Sequence, residues 1–205
     1  MQTLLFEVQP REGHEDHYFA HAAKLKPLVM AQSGLLFLDR FQSLSRDGLI
    51  LSHSRWRDEA AIASWRSNGT HYQTQVAGRM KHFADYRIRI ATAILHLDEH
   101  GAVSANEDKS SYWEDGAKPP RYHAIIASQD EPYDGTGESF RSVYNEGVYL
   151  HVQECKTLAD GKALMESLKK VDAVQYAYLS HTSRDYGMFE RDEAPQFLPE
   201  VKEQA

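Results

Sequence analysis

Between positions 65 and 72 the chain sets an indole, an imidazole and a phenol close together: Trp65, His71 and Tyr72. An imidazole changes charge near neutral pH, so His71 could take a proton from a substrate or hold one of its oxygens. It falls in the first turn of a predicted helix, where capping or packing is the plainer role. Tyr72 could donate its hydroxyl into a cavity, or sit in the core with that hydroxyl satisfied. Trp65 lies on the inner face of the preceding helix, where it could wall a pocket or fill the core. Upstream, His53 occupies the opposite strand face from Ser52, Ser54 and Trp56. One of those faces lines a pocket, and the sequence leaves both His53 and Trp56 as candidates. Arg87 shares a strand face with Arg89, Ala91 and Ala93. A guanidinium there could fix an anion, although an edge salt bridge is the plainer reading.

The surrounding pattern supplies elements to position these groups. Thr3–Val8 is a short apolar run ended by Pro10, a strand signal. From Glu12 to Ala31, Phe19, Ala22, Leu25, Leu28 and Val29 recur at three and four, which predicts a helix with one buried face. Ser33-Gly34 stops it. Leu35–Leu44 and Leu49–Trp56 read as strands around Asp47-Gly48, a hairpin signal. Asp58 is a good N-cap for a helix holding Ala61, Ile62 and Trp65. Asn68-Gly69 should end that helix, and Thr70 with Gln73 predicts a capping box for the next. In that second helix Tyr72, Val76, Met80 and Phe83 form an apolar stripe beside His71, Gln75 and Arg79. Tyr86–Leu95 alternates as a strand, with Ile88, Ile90 and Ile94 on one face.

Residues 98–120 are polar and closed by a Pro pair, so they read as a linker or long loop onto which Trp113 packs. Then the pattern restarts. Tyr122–Ser128 is a strand, Phe140–Tyr144 and Val148–Cys155 flank a second hairpin, Leu158–Val171 is helical, and Ala173–Ser180 is a last strand before a tail from Arg184. An offset of 99 aligns Phe41 with Phe140, Ser43 with Ser142, Gly48 with Gly147 and Leu51 with Leu150. The second half thus looks like the first without its long helix and its Thr70–His82 helix. The fold class expected is α+β: two ferredoxin-like units in one chain, their antiparallel sheets packed face to face or closing a barrel, because a lone sheet of this kind leaves one face bare.

Composition narrows the function classes. The 205 residues carry a formal charge of -7, with 12 basic against 11 acidic residues up to position 100 and 11 against 19 beyond it. Neither half offers the basic surface that nucleic acid needs. No apolar run approaches a membrane span, and the start of the chain reads as a strand and not a signal peptide. The single cysteine, Cys155, excludes an intrachain disulfide and a cysteine-based zinc site, and a cytoplasmic location is the expectation. His14, His17 and His21 share a helical face, but without a fixed carboxylate or cysteine partner they read as a solvated face, so no metal site is expected.

These residues resemble a known family. Ser54–Trp56, Asp58–Ile62, Trp65-Arg66, His71, Gln75, Gly78-Arg79, Phe83 and Tyr86–Arg89, with Pro10-Arg11, Gly13 and Ser33–Leu35, are similar to the antibiotic biosynthesis monooxygenase family over about residues 3–96. The resemblance implies a ferredoxin-like domain over 1–97, and the pattern along the chain adds a linker over 98–120, a degenerate second domain over 121–183 and a tail over 184–205. It implies a pocket between sheet and helices, and a homodimer or a monomeric pseudodimer. It also implies an enzyme of monooxygenase type that needs no cofactor and acts on an aromatic, phenolic or quinone-like small molecule. On that reading His71, His53 and Tyr72 do the proton chemistry, while Trp65, Trp56 and Arg87 hold the substrate. The alternative is a non-catalytic small-molecule-binding or stress-response module. Haem breakdown fits less well, because Thr74 or Gln75 stands where haem-degrading relatives place their ligand histidine.

Overall fold

The computed structural model describes residues 1–105, 119–195, 198 and 201. Its first strand, β1 (Gln2–Pro10), alternates side chains between two faces. The helix α1 (Glu15–Met30) buries Tyr18, Ala22 and Val29, the spacing of a single helical face. β2 (Leu35–Ser43) and β3 (Ile50–Trp56) make the expected hairpin, and Gly48 takes the left-handed φ of +70° that its turn requires. α2 (Glu59–Arg66) is capped by Asp58, whose carboxylate accepts from the Ala61 amide at 2.8 Å. α3 (Gly69–Ala77), one π-helical turn (Gly78–His82) and the long β4 (Phe83–Leu97) complete the first half.

A tight turn at Asp98–Gly101 and the short β5 (Val103–Ala105) open the segment expected to be a plain linker. Trp113 lies outside the described residues. The second half follows with β6 (Arg121–Gln129), β7 (Glu138–Ser142), β8 (Val148–Cys155), α4 (Leu158–Leu168) and β9 (Val174–Gly187). A reciprocal capping box between Thr157 and Asp160 starts α4.

Among the described residues, eight strands close into one antiparallel barrel in the order β1-β3-β2-β7-β8-β6-β9-β4, with β4 pairing back to β1. This corrects the picture of two sheets packed face to face. The strands that would be edges are paired: β2 meets β7 over Phe41–Ser43, and β4 meets β9 over Arg87–Leu97. Pairing satisfies backbone groups that open sheet edges would leave bare. The same pairing extends the last strand to Gly187, seven residues past the expected end at Ser180.

The offset of 99 is written into the seam. Phe41 pairs with Ser142, and Ser43 pairs with Phe140, so the two equivalent phenylalanines and the two equivalent serines exchange places across it. The Ser43 hydroxyl donates to Glu138, and the Ser142 hydroxyl donates to Asp39 at 2.9 Å. Inside the barrel Leu5, Phe41, Leu51, Ile125, Phe140 and Leu150 form an apolar core, none more than 1% exposed.

The two outer faces differ. On the second half α4 lies directly on the sheet, burying Met165 and Leu168 against Ala124, Ile126 and Leu179. A Cβ at Gly161 would stand 2.5 Å from a Leu179 methyl, so glycine is what lets this helix come so close. On the first half α1, α2 and α3 cover the sheet without filling the space beneath them.

Candidate active site

That space is a cavity of about 190 Å³ between the outer face of the first-half sheet and its three helices. One row of sheet partners crosses its floor: Arg40 on β2, Ser52 on β3, Phe6 on β1, Ile88 on β4 and Tyr186 on β9. A parallel row, Leu38, Ser54, Leu4 and Ile90, lies beside it. Strand alternation explains the selection, since all these first-half strands turn the same parity outward. The roof comes from Tyr18, His21, Ala22 and Leu25 of α1, Ile62, Trp65 and Arg66 of α2, and His71, Thr74 and Gln75 of α3. No Asp or Glu occurs among the described lining residues, whereas Arg40, Arg66 and Arg191 do.

Trp65, Trp56 and His71 are brought together here. Trp56 is 1% exposed, and its Nε1–H donates to the Ser54 hydroxyl at 2.9 Å. The indole of Trp65 stacks on the His71 imidazole with centroids 4.2 Å apart and planes 14° from parallel. His71 is locked by two bonds. Its amide donates to the Asn68 carboxamide at 3.1 Å, and its Nδ1 lies 3.1 Å from the Trp65 carbonyl oxygen. A carbonyl can only accept, so Nδ1 carries the proton and Nε2 keeps its lone pair. Burial pushes the His71 pKa down to about 4, against the smaller opposite pull of the Trp65 carbonyl. At neutral pH the ring is therefore an uncharged acceptor.

The start of α3 explains this placement. Asn68, not Thr70, is the N-cap, so Gly69 is helical and the helix begins earlier than the Thr70–Gln73 pattern implied. The helix turns His71, Thr74 and Gln75 toward the cavity. Tyr72, and Met80 in the π-helical turn that follows, both expected on the buried stripe, are 40% and 45% exposed. Tyr72 is thus outside the cavity.

Two further candidates are elsewhere. His53 points into the barrel, fully buried, with Nδ1 3.3 Å from the Leu4 carbonyl oxygen. Burial, aided by Arg55, holds its pKa at about 3. It belongs to the face opposite Ser52, Ser54 and Trp56, and that latter face is the one that lines the cavity. Arg87 also lies off the cavity. It makes a bidentate pair with Asp185 at 2.9 and 2.7 Å and reaches Glu154 at 3.4 Å. Its charge is already matched, which is the edge salt bridge of the plainer reading.

The α1 histidines do not stand alone. His14, His17 and His21 gather around His82, with ring centroids 5.2, 4.9 and 5.6 Å from it, and His14 Nδ1 is 3.0 Å from His82 Nδ1. Among the described residues no group of histidine, cysteine and carboxylate side chains has the geometry to hold a metal ion. Cys155 is buried and its thiol is pushed up by that burial, as a packing residue would be. Sequence reasoning missed Arg40, Tyr18 and Tyr186. The first two fall within an expected strand and helix and the third within the expected tail, and only the folded chain places the three on one cavity.

A closed antiparallel barrel carrying one helix-roofed cavity is the class this fold and site define. Residues 1–77 match the family model described as antibiotic biosynthesis monooxygenase. A relative named jasmonate monooxygenase ABM, from Pyricularia oryzae, is 28% identical over 224 residues, spanning 97% of this chain and 99% of that protein. Among solved structures, an aldoxime dehydratase shares the fold with a TM-score of 0.54 at 11% identity, over 88% of this chain and 80% of that one. An anthrone oxidase-like protein is matched over 95% of this chain and 96% of that one at 10% identity, with a TM-score of 0.40. Among the described residues no helix is long and apolar enough to cross a membrane.

Proposed function

We propose that the protein is a monooxygenase acting in the helix-roofed cavity on a small aromatic, phenolic or quinone-like molecule, with His71 receiving the substrate's proton. The observation that carries this is the His71 geometry: Nδ1 committed to the Trp65 carbonyl, ring stacked on Trp65, and Nε2 left as the acceptor in an apolar cavity. The family match and the monooxygenase name of the relative support the reaction type.

The cavity's size narrows the substrate. Apolar cavities of about 150 Å³ take up benzene, so about 190 Å³ suits one or two rings. A phenol such as 1-naphthol illustrates the balance. His71 Nε2 accepts the phenolic proton, and the resulting phenolate passes electron density to dioxygen. A C–O bond forms at the ring carbon para to the oxygen, and the hydroperoxide loses water to leave a quinone. One naphthol and one dioxygen give one 1,4-naphthoquinone and one water, with all electrons supplied by the substrate. An enclosed apolar site favours this by excluding competing proton donors, and Trp65 and Trp56 provide much of that enclosure.

The same reading takes residues 1–97 and 121–183 as two ferredoxin-like units. The contiguous orders β4-β1-β3-β2 and β9-β6-β8-β7 support it, as does the exchange across the Phe41–Ser142 seam. The chain then closes its own barrel as a monomeric pseudodimer. The second unit completes the barrel, and its outer face is filled by α4. Oxygen uptake by the purified protein with 1-naphthol, 2-naphthol and 2-tetralone tests the function. Saturable uptake supports it. Tight binding of these compounds without uptake would instead make the protein a binding module.

A further inference from the structure

We infer that Arg40 is an anion seat, and that the molecule held in the cavity carries an ionised carboxylate as well as its apolar body. The inference rests on the helix-roofed cavity being the ligand site.

Arg40 is only 8% exposed, and it stands at the β2 end of the cavity floor beneath α1. Buried guanidinium groups are costly unless a carboxylate or its equivalent answers them. Among the described residues none answers this one. Its neighbour Asp39 is turned to the other face of β2, where it accepts from the Ser142 hydroxyl at 2.9 Å and from Asn145 Nδ2 at 3.1 Å. The Arg40 Nε is buried without a hydrogen-bond partner. The Tyr18 hydroxyl lies beside the guanidinium, but it is neutral: burial raises its pKa, and Arg40 offsets that only in part. By contrast, the buried Arg89 is paired with Glu7, and Arg184 with Glu59. The fold supplies carboxylates to Arg89 and Arg184, and the Tyr86 hydroxyl and the Met188 carbonyl to the buried Arg79, and leaves Arg40 for a ligand.

The position suits an anchor and not the reacting group. Arg40 is on the floor at β2, and His71 is on the roof at α3. A carboxylate at Arg40 would hold one end of the molecule while an ionisable hydroxyl at the other meets His71. Planar guanidinium and carboxylate match two hydrogen bonds at once, which gives direction as well as attraction.

Titration calorimetry at pH 7 with 1-naphthaleneacetate and the equally sized neutral 1-naphthaleneacetamide tests this. The acid should bind at least tenfold tighter than the amide. Arg40→Gln should bring the two within threefold, and Arg40→Lys should keep part of the preference. Equal or tighter binding of the amide, or no binding of the acid up to millimolar concentration, overturns the proposal. So does an unchanged preference in folded Arg40→Gln. If that variant does not fold, the wild-type comparison decides alone. Oxygen uptake with neutral 1-naphthol is a separate readout. Turnover with no acid preference removes the anion seat and leaves the oxygenase, whereas acid preference without uptake on any substrate does the reverse.

Discussion

The imidazole of His71 is held by the residue it stacks upon: its Nδ1–H donates to the Trp65 carbonyl at 3.1 Å while the two rings lie 4.2 Å apart. One residue thus fixes both the tautomer and the orientation of the other. The stack also shields the imidazole from water, which is why it stays neutral.

A pH profile follows from that shielding. With a pKa of about 4, His71 is already unprotonated across the neutral range. A base must be unprotonated to act, so activity is lost only as pH falls through about 4. Initial rates of 1-naphthol turnover between pH 4.5 and 8 should show no fall centred on the usual histidine value of about 6.5. A fall centred there would mean that another, exposed histidine is the base.

The buried His53 predicts acid sensitivity of the fold. Its folded pKa of about 3 lies below the ordinary histidine value. Between the two, the unfolded chain binds a proton that the folded one refuses, so stability rises with pH there and is lost as pH falls through that window. One such group contributes at most about 1.4 kcal/mol per pH unit. Burial pushes His123 in the same direction. Urea unfolding from pH 7 down to 4.5 should show this slope, and His53→Gln should make it shallower whatever its effect at pH 7.

The seam predicts a stability change far from the cavity. Asp39→Ala would strip the acceptor from the Ser142 hydroxyl and Asn145 Nδ2. Leaving such groups unpaired costs about 1–3 kcal/mol. The urea midpoint should drop with little change in the slope of the transition.

The α4 face predicts that the second half tolerates no added volume. Gly161→Val would drive a side chain into Leu179, and overpacking of this kind costs about 1–3 kcal/mol. Thermal unfolding should register the loss, while binding of 1-naphthaleneacetate in the first-half cavity should be unchanged.

Much of the fold could be read from local signals. Asp47-Gly48 and Asp58 announced a hairpin and a helix start, and both are found. Alternation along β3 put His53 opposite Ser52, Ser54 and Trp56. What alternation cannot say is which face is inside, because barrel interior and helix-covered exterior are both buried. His53 and Trp56 were therefore both candidates, and only the closed barrel separates them. The start of α3 was misplaced by two residues because Ser, Thr and Asn all cap helices well. Which of its adjacent stripes faces the sheet is set by packing, and it is the His71, Thr74 and Gln75 side, not the Tyr72 side, that lines the site. Arg40 was unreadable for a different reason. Its significance is the lack of a carboxylate partner, and the carboxylates that answer Arg89 and Arg184 lie 82 and 125 positions away, so such pairings follow from the tertiary fold and not from local pattern.

Single turnover of 1-naphthol under ¹⁸O₂, comparing the wild-type protein with His71→Ala, decides whether His71 serves an oxygenase. The wild type should give a quinone carrying one labelled oxygen, and the variant, with the fold intact, a rate about 10²–10⁴-fold lower. Unlabelled product, or equal rates in the two proteins, would contradict that role.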